Sequence, residues 1–453
     1  MRCGRVSPPW ARPLLWAGPL LGVTAALWAT PAVAREVQLD GRASLRGLYS
    51  TDSGDHPRVG ILFLDTDARA EGLTDAGLRA ELDAGFILDA TDARERRFGQ
   101  TESLDQVRQL FVEQADVVGD LGVAAGRRLI AEAGNAWVDG VDLELSLDGG
   151  RATLGLYGGL APDRLDYSLD TDQQATGVYG TLHREGLDTS LAYNAQLRGG
   201  ALDRHYGFHR IHYRVAPGLF VASYLLVDFL DGPGITTLLA SADYTPVPAL
   251  NVALNVSRYS VERYRDETVY RNVVEPNQVL LLGDEVVDLV YDRVRLSVSL
   301  RFWGSLYQYQ SLEFKARSQD GREAWIYTIG LRDEDLLGAG TRVDLRTTFD
   351  NDFQSDALLV ALDVEQDLGA RLIASGRATW FDGRTVGRAT ERGRTFDEAQ
   401  RVVLVGAALG WRATKAHRID VDYDGVYETE LQDARNQEDL FIHTLMGRYS
   451  WLF

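Results

Sequence analysis

The stretch "FIHTLMGRYSWLF", Phe441 to Phe453, alternates with a period of two. Phe441, Leu445, Gly447, Tyr449, Trp451 and Phe453 fall on one face, and Thr444, Met446, Arg448 and Ser450 on the other. Successive side chains of a strand point to opposite sides, so the pattern predicts a strand with a greasy, aromatic face in a position where most chains are polar and frayed. The solvent that face meets decides the fold.

The same period runs through the sequence. "GLRAELDAGFILD" sets Leu78, Ala80, Leu82, Ala84, Phe86 and Leu88 in one row, and "DRVRLSVSLRFW" sets Val294, Leu296, Val298, Leu300 and Phe302 against Arg293, Arg295, Ser297, Ser299 and Arg301. Almost nothing repeats at 3.6 residues. Placing segments by alternation and turn residues predicts an all-β chain of roughly 22 strands, range 18 to 22. They fall near 37–50, 59–71, 77–89, 104–115, 121–131, 138–148, 151–161, 173–184, 187–198, 203–215, 218–230, 234–246, 250–263, 286–303, 306–318, 322–333, 341–351, 356–367, 371–381, 397–412, 417–429 and 438–453.

The solvent question is answered by charge, address and connections. Arg2, Arg5 and Arg12 precede the apolar run "LLWAGPLLGVTAALWA" and the small-x-small site "PAVAR", which predicts a signal peptide over residues 1–34 and one exported domain over 35–453. Cys3 leaves with the leader, so the mature chain has no disulfide and relies on sheet and packing. Losing those three arginines takes the formal charge from -19 to about -22, which argues against nucleic acid as a partner. No apolar run long enough for a spanning helix remains after the leader.

Connections alternate between short turns ("VVGD", "REGLD", "WGS", "DLGA") and generally longer, charged loops, among them Arg265 to Glu285 and Asp382 to Ala399. That asymmetry is the habit of outer-membrane barrels and puts both ends of the barrel chain on the short-turn side. A soluble sandwich or propeller also alternates, but the sequence has no blade repeat, and a single sandwich of this length would be too large. The expectation is a closed, antiparallel, up-and-down barrel in the outer membrane of a Gram-negative bacterium, apolar rows against lipid and charged rows around a wet lumen. Aromatics near strand ends are expected to form interfacial girdles: Tyr49, Trp137, Tyr157, Tyr179, Tyr213, Tyr244, Tyr259, Trp303, Tyr307, Trp380, Trp411, Tyr427, Tyr449 and Trp451.

Two resemblances follow. "GRYSWLF" looks like the C-terminal insertion signal of Gram-negative outer-membrane proteins, with Tyr449, Trp451 and Phe453 in the matching places, and implies recognition by the barrel-assembly machinery. "VAAGRRLIAEAGNAWVDGVDLELSL" is similar to the Gly-Arg-Gln strand and Asp-Gly strand of porins and alginate-export-type barrels. Gly126, Arg127, Asp139 and Gly140 match, while Arg128 stands where the glutamine is usual.

The expected pore-lining residues are Arg127, then Arg293, Arg295, Arg301, Glu313, Lys315 and Arg317 as a basic wall, opposed by Asp363, Glu365, Asp420, Asp422 and Asp424 as an acidic one. Opposed walls would set a transverse field across the lumen. The loops 265–285 and 382–399 are expected to be the ones that narrow it.

No metal or cofactor is expected. Asp420, Asp422, Asp424 and Gly425 imitate the start of a calcium loop, but the twelfth position is Leu431 and the run alternates as a strand. His205, His209 and His212 have helical metal spacing in a segment that reads as strand, where the odd separation sends His212 to the other face. No Gly-x-Ser-x-Gly elbow or other catalytic constellation stands out, so no enzyme is expected. The expected function is passive diffusion of small hydrophilic solutes. The alternatives are export of a polysaccharide within an envelope complex, which the alginate-export resemblance implies, and a structural or adhesive barrel that does not conduct.

Overall fold

The computed structural model describes residues 37–53, 58–74, 77–91, 103–163, 167–230, 232–260, 290–318, 321–336, 338, 340–353, 355–389, 395–430 and 440–453. The expected leader and the stretch from Arg265 to Glu285 lie outside them.

Among the described residues twenty-two strands follow one another: β1 (Gln38–Asp52), β2 (Val59–Glu71), β3 (Arg79–Asp89), β4 (Ser103–Val118), β5 (Leu121–Ile130), β6 (Ala136–Leu147), β7 (Ala152–Leu160), β8 (Gln173–Arg184), β9 (Leu187–Arg198), β10 (Ala201–Ala216) and β11 (Leu219–Asp228) form the first half. The second is β12 (Gly234–Val247), β13 (Leu250–Ser260), β14 (Val290–Trp303), β15 (Leu306–Arg317), β16 (Glu323–Leu336), β17 (Thr341–Asp352), β18 (Ser355–Asp367), β19 (Leu372–Ala389), β20 (Thr395–Arg412), β21 (His417–Glu430) and β22 (Leu440–Leu452). Each pairs antiparallel with its sequence neighbours, and β1 pairs β22 from Arg42↔Leu452 to Asp52↔Ile442. The sheet is a closed barrel.

Closure follows from the greasy rows. An open edge in hydrocarbon would leave backbone donors and acceptors unmade at several kcal/mol each, and β22 removes that edge by meeting β1. The meeting continues past the last strand residue: Phe453 N donates to Gly41 O at 3.1 Å and Gly41 N to Phe453 O at 2.9 Å.

The two faces separate as the period dictates. Leu45, Leu64, Leu110, Leu154, Val178, Leu191, Leu254, Leu296, Leu312, Leu345, Val405, Val421 and Leu445 are exposed large apolar residues that register brings into adjacent outer rows. Buried polar residues occupy the opposite rows, Ser44, Asp142, Ser190, Asn194, Ser311, Glu313 and Asp420 among them, because side chains on the concave face converge while those outside splay apart.

Connections after β4, β8, β10, β12 and β14 have two residues each, and both ends of the barrel chain lie on that rim. The opposite rim carries the long connections, although β9 and β10 are joined there by only Gly199 and Gly200. On that rim the expected loop 382–399 is largely sheet. β19 and β20 continue their ladder through Arg384↔Ala399 to Ala389↔Thr395, because the polar sequence there pairs its backbone with itself instead of turning inward.

Among the described residues, a short segment turns inward. At the β5–β6 connection a single 3-10 turn, Ala131–Ala133, closes on Gly134 with φ 77°. The Asn194 amide on β9 donates to Ala133 O at 3.0 Å, and the Tyr224 hydroxyl on β11 to Gly134 O at 3.4 Å. The turn therefore lies over the inner wall of β8 to β11. Ile130, Ala133, Ala136 and Val138 join Tyr157, Tyr179, Tyr206, Phe208 and Leu226 in a buried apolar cluster on the inner face. A backbone turn that leaves the wall must find partners for its polar groups, and the wall supplies them.

Candidate pore

The lumen is lined by ion pairs that run across strands. Arg46 meets Asp65 at 2.8 Å, Arg108 meets Asp83 at 2.6 Å and Asp65 at 3.3 Å, and Arg204 grips Asp228 with two bonds of 2.7 and 3.0 Å while lying 4.3 Å over the Tyr206 ring. Inner residues diagonally placed on neighbouring strands lie within reach of a long arginine, and such pairs hold register as well as charge.

The residues expected as a basic wall stand together on β14 and β15. Arg293 contacts Glu313 at 3.1 Å, and Lys315 lies 4.0 Å from Glu313 and 3.7 Å from Asp352. Arg295 reaches the Ser311 hydroxyl at 3.3 Å; Arg317 lies 4.8 Å over Phe353. Arg301 is at the short-turn rim, 5.5 Å over Tyr307 and bonded to Gly304 O.

The acidic wall differs from expectation, because arginines on intervening inner positions interleave with it. Asp363 pairs with Arg346 at 2.9 Å, Glu365 with Arg342, and Asp420 with Arg418 at 2.8 Å and Arg448 at 2.9 Å. Asp424 pairs with Arg377, whose Nε is 2.9 Å away, while Asp422 stands between these pairs on the same row. A transverse field of two opposed walls is thus largely cancelled on this side. The three aspartates occupy alternate positions of β21, so they form a strand row and no calcium loop.

Arg127 is not a free lining residue. Its Nε and Nη2 each donate to Asp139 at 2.6 Å and its Nη1 donates to Val107 O at 2.8 Å and to Tyr167 O, which leaves the side chain 13% exposed. Its neighbour Arg128 turns to the inner face, where it meets Asp142 at 2.7 Å and Glu144 at 3.0 Å and lies 5.3 Å over Phe111.

One inner stretch gathers several guanidinium groups: Arg210 lies 3.6 Å from Asp188, Arg293 pairs with Glu313, and Arg295 donates to Ser311. Arg210, His212, Tyr224, Ser241, Asn255, Ser257, Arg293 and Arg295 line a recess of about 460 Å³ across β10 to β14. The Nε atoms of Arg210 and Arg295 are buried there and have no protein partner among the described residues. Sequence reasoning found Arg293 and Arg295 by their row. It missed Arg210 and His212, which lie some 80 residues earlier and reach the same recess only through the ladder β10-β11-β12-β13-β14.

The histidines divide as strand geometry requires. His205 bonds Tyr193 at 2.8 Å and His209 lies 3.3 Å from the Thr189 hydroxyl, both on outer rows, while His212 is on the inner one. Among the girdle aromatics, Tyr49, Tyr213, Tyr244, Trp303, Trp380, Trp411, Tyr427, Tyr449 and Trp451 are exposed. Tyr157 and Tyr179 are corrections: at 2% and 4% exposure they belong to the inner cluster, each ring lying over a glycine of the next strand, Gly177 and Gly155. Tyr307 and Tyr259 also stand on inner rows.

No family model matches the chain, and no curated protein matches it. Solved structures do. OccAB2 of Acinetobacter baumannii is 10% identical, covering 92% of this chain and 98% of its own with a TM-score of 0.45. OccK9 (OpdG) of Pseudomonas aeruginosa is 11% identical, covering 92% and 99% with a TM-score of 0.46. OpdK of Pseudomonas aeruginosa, solved with vanillate, is 11% identical over 92% and 99% with a TM-score of 0.43.

Proposed function

We propose that the protein is an outer-membrane channel through which small hydrophilic solutes diffuse passively. One observation carries the reading: the 22 strands close into a ring whose outer rows are apolar and whose inner rows are charged and polar. A ring of that size is too wide for side chains to fill, so water occupies what remains. The outer rows suit hydrocarbon, and the exposed aromatics at both rims suit the headgroup level. Barrel-assembly machinery acting on Tyr449, Trp451 and Phe453 belongs to the same reading, as does the cleaved leader.

The charge pattern refines it. Where arginine and carboxylate pair tightly, a passing solute meets a nearly neutral wall. At the recess on β10 to β14, the Arg293 side chain is 46% exposed beside Glu313, so its outward N–H groups can also meet a solute carrying a carboxylate or another small anion.

Planar-bilayer recording of the refolded barrel tests both parts. Discrete conductance steps are expected, and Arg293→Gln with Arg295→Gln should lower the anion-to-cation permeability ratio about twofold or more. A protein that gives no steps, or one that stays in solution without detergent, would overturn the channel reading.

A further inference from the structure

The β5–β6 hairpin leaves the barrel wall on both sides at one level. The β4–β5 ladder stops at Leu110↔Arg127 and the β6–β7 ladder starts at Asp139↔Leu160, while β5 and β6 remain paired to each other as far as Ile130↔Ala136. Residues 128–138 are therefore a tongue whose backbone ladder is its own. Gly126 and Gly140 mark the bend. Gly126 has φ 126°, and a Cβ at Gly140 would overlap the Gly158–Gly159 backbone. Only glycine allows both the twisted backbone and the close approach.

At that level Arg127 and Asp139 face each other across the hairpin. Their paired bonds of 2.6 Å tie the two sides of the tongue, and Arg127 Nη1 donates to Val107 O, a β4 carbonyl beyond the last rung of the β4–β5 ladder. The same nitrogen donates to Tyr167 O in the β7–β8 connection, whose ring packs edge-on to Trp137 of the tongue at 5.3 Å. One guanidinium thus spans the wall on one side of the gap, the tongue, and the connection on the other side. Its planar fork makes all these bonds at once, which an ammonium cannot.

We propose that Arg127 and Asp139 are a staple that fixes how far the tongue leans into the lumen, and so sets the width of the pore. Gly126-Arg127 and Asp139-Gly140 then have a common role as hinge and latch of one moving part, with the tip held against Asn194 and Tyr224. The inference rests on the channel reading, and Arg127 and Asp139 are positioning residues that need not touch solute.

The test is single-channel conductance and the size cutoff for neutral polyethylene glycols, with hydrogen exchange of residues 128–138 as a second readout. Arg127→Ala, Arg127→Lys and Asp139→Asn should each raise conductance about twofold or broaden it into several levels, and should increase exchange in the tongue but not in β14 to β18. The exchanged pair Arg127→Asp with Asp139→Arg should return part of the way to the parent. A cross-link between Ala133→Cys and Asn194→Cys in the Arg127→Lys background should restore the parent conductance, and reductant should abolish that restoration. Parent conductance and parent exchange in all three single variants would overturn the staple. So would a barrel that loses its heat-modifiable shift in Arg127→Lys, since the pair would then serve folding alone. A silent parent protein overturns the channel and the pore-setting role together, whereas a conducting parent with unchanged variants overturns the staple only.

Discussion

Glycine beneath tyrosine is a recurring device on the inner wall. The Tyr157 ring covers Gly177, Tyr179 covers Gly155, and Tyr309, which donates to Asp344 at 2.8 Å, covers Gly330. A bare glycine lets the ring lie flat against the wall, so bulky residues add packing without filling the lumen. At Gly177 a Cβ would come within 2.6 Å of both the Asn194 Oδ1 and the Tyr157 ring. Tyr157 donates to that same oxygen at 2.6 Å, and Asn194 anchors the inward turn. Gly177→Val is therefore expected to cost about 1–3 kcal/mol through forced repacking. Gly447, whose Cβ direction is open, should accept alanine with little change. The temperature at which the folded band disappears on a gel measures both, and equal midpoints for the two variants would refute the packing argument.

A single strand shows how a two-sided solvent discriminates between neighbours. On β14, Leu296 stands in the outer row between Leu254 and Leu312, and Ser297 in the inner row between Ala253 and Ser311. An arginine at a lipid-facing midpoint costs about 2–4 kcal/mol, whereas one in a wet lumen keeps its water. Leu296→Arg should accordingly destabilise the barrel by that amount and Ser297→Arg by much less, read from urea unfolding in detergent or bilayer. Equal losses would mean that the outer row does not meet hydrocarbon. The same scale separates what the sequence displayed from what it hid. Strand existence and the alternation of rows were legible, because period two is a local property, whereas the inward side of Tyr157 and Tyr179 was not, since a ring packed on a neighbouring glycine reads the same as a ring in a girdle. The extended β19–β20 ladder was not, since its polar residues read as loop and only their mutual pairing makes them sheet.

For the whole molecule, the decisive event is the return of β22 to β1. Phe453 adds two backbone hydrogen bonds to Gly41, and its ring packs over Gly41 and against Trp451 at 4.8 Å. Deleting Phe453 should reduce the fraction of chains that reach the heat-modifiable, protease-resistant form by several-fold in a membrane-folding assay. Arg42↔Leu452 would become the last rung. An undiminished folded fraction would show that the remaining β1–β22 ladder suffices.

The sequence by itself determined the class of fold, the approximate number of strands, the two-row alternation of side chains along each, and the rim on which the short turns lie. Each of these follows from alternation and turn chemistry within about twenty residues. It could not determine who meets whom along the inner wall. The interleaving of Arg342, Arg346, Arg377 and Arg448 with the acidic rows depends on the register of each strand with its neighbour or next neighbour in the ladder. So does the gathering of Arg210 with Arg295, and so does the seating of the 131–135 turn on Asn194 and Tyr224. Those contacts are set by strand register and by the inward bend of the hairpin, which only the tertiary structure decides.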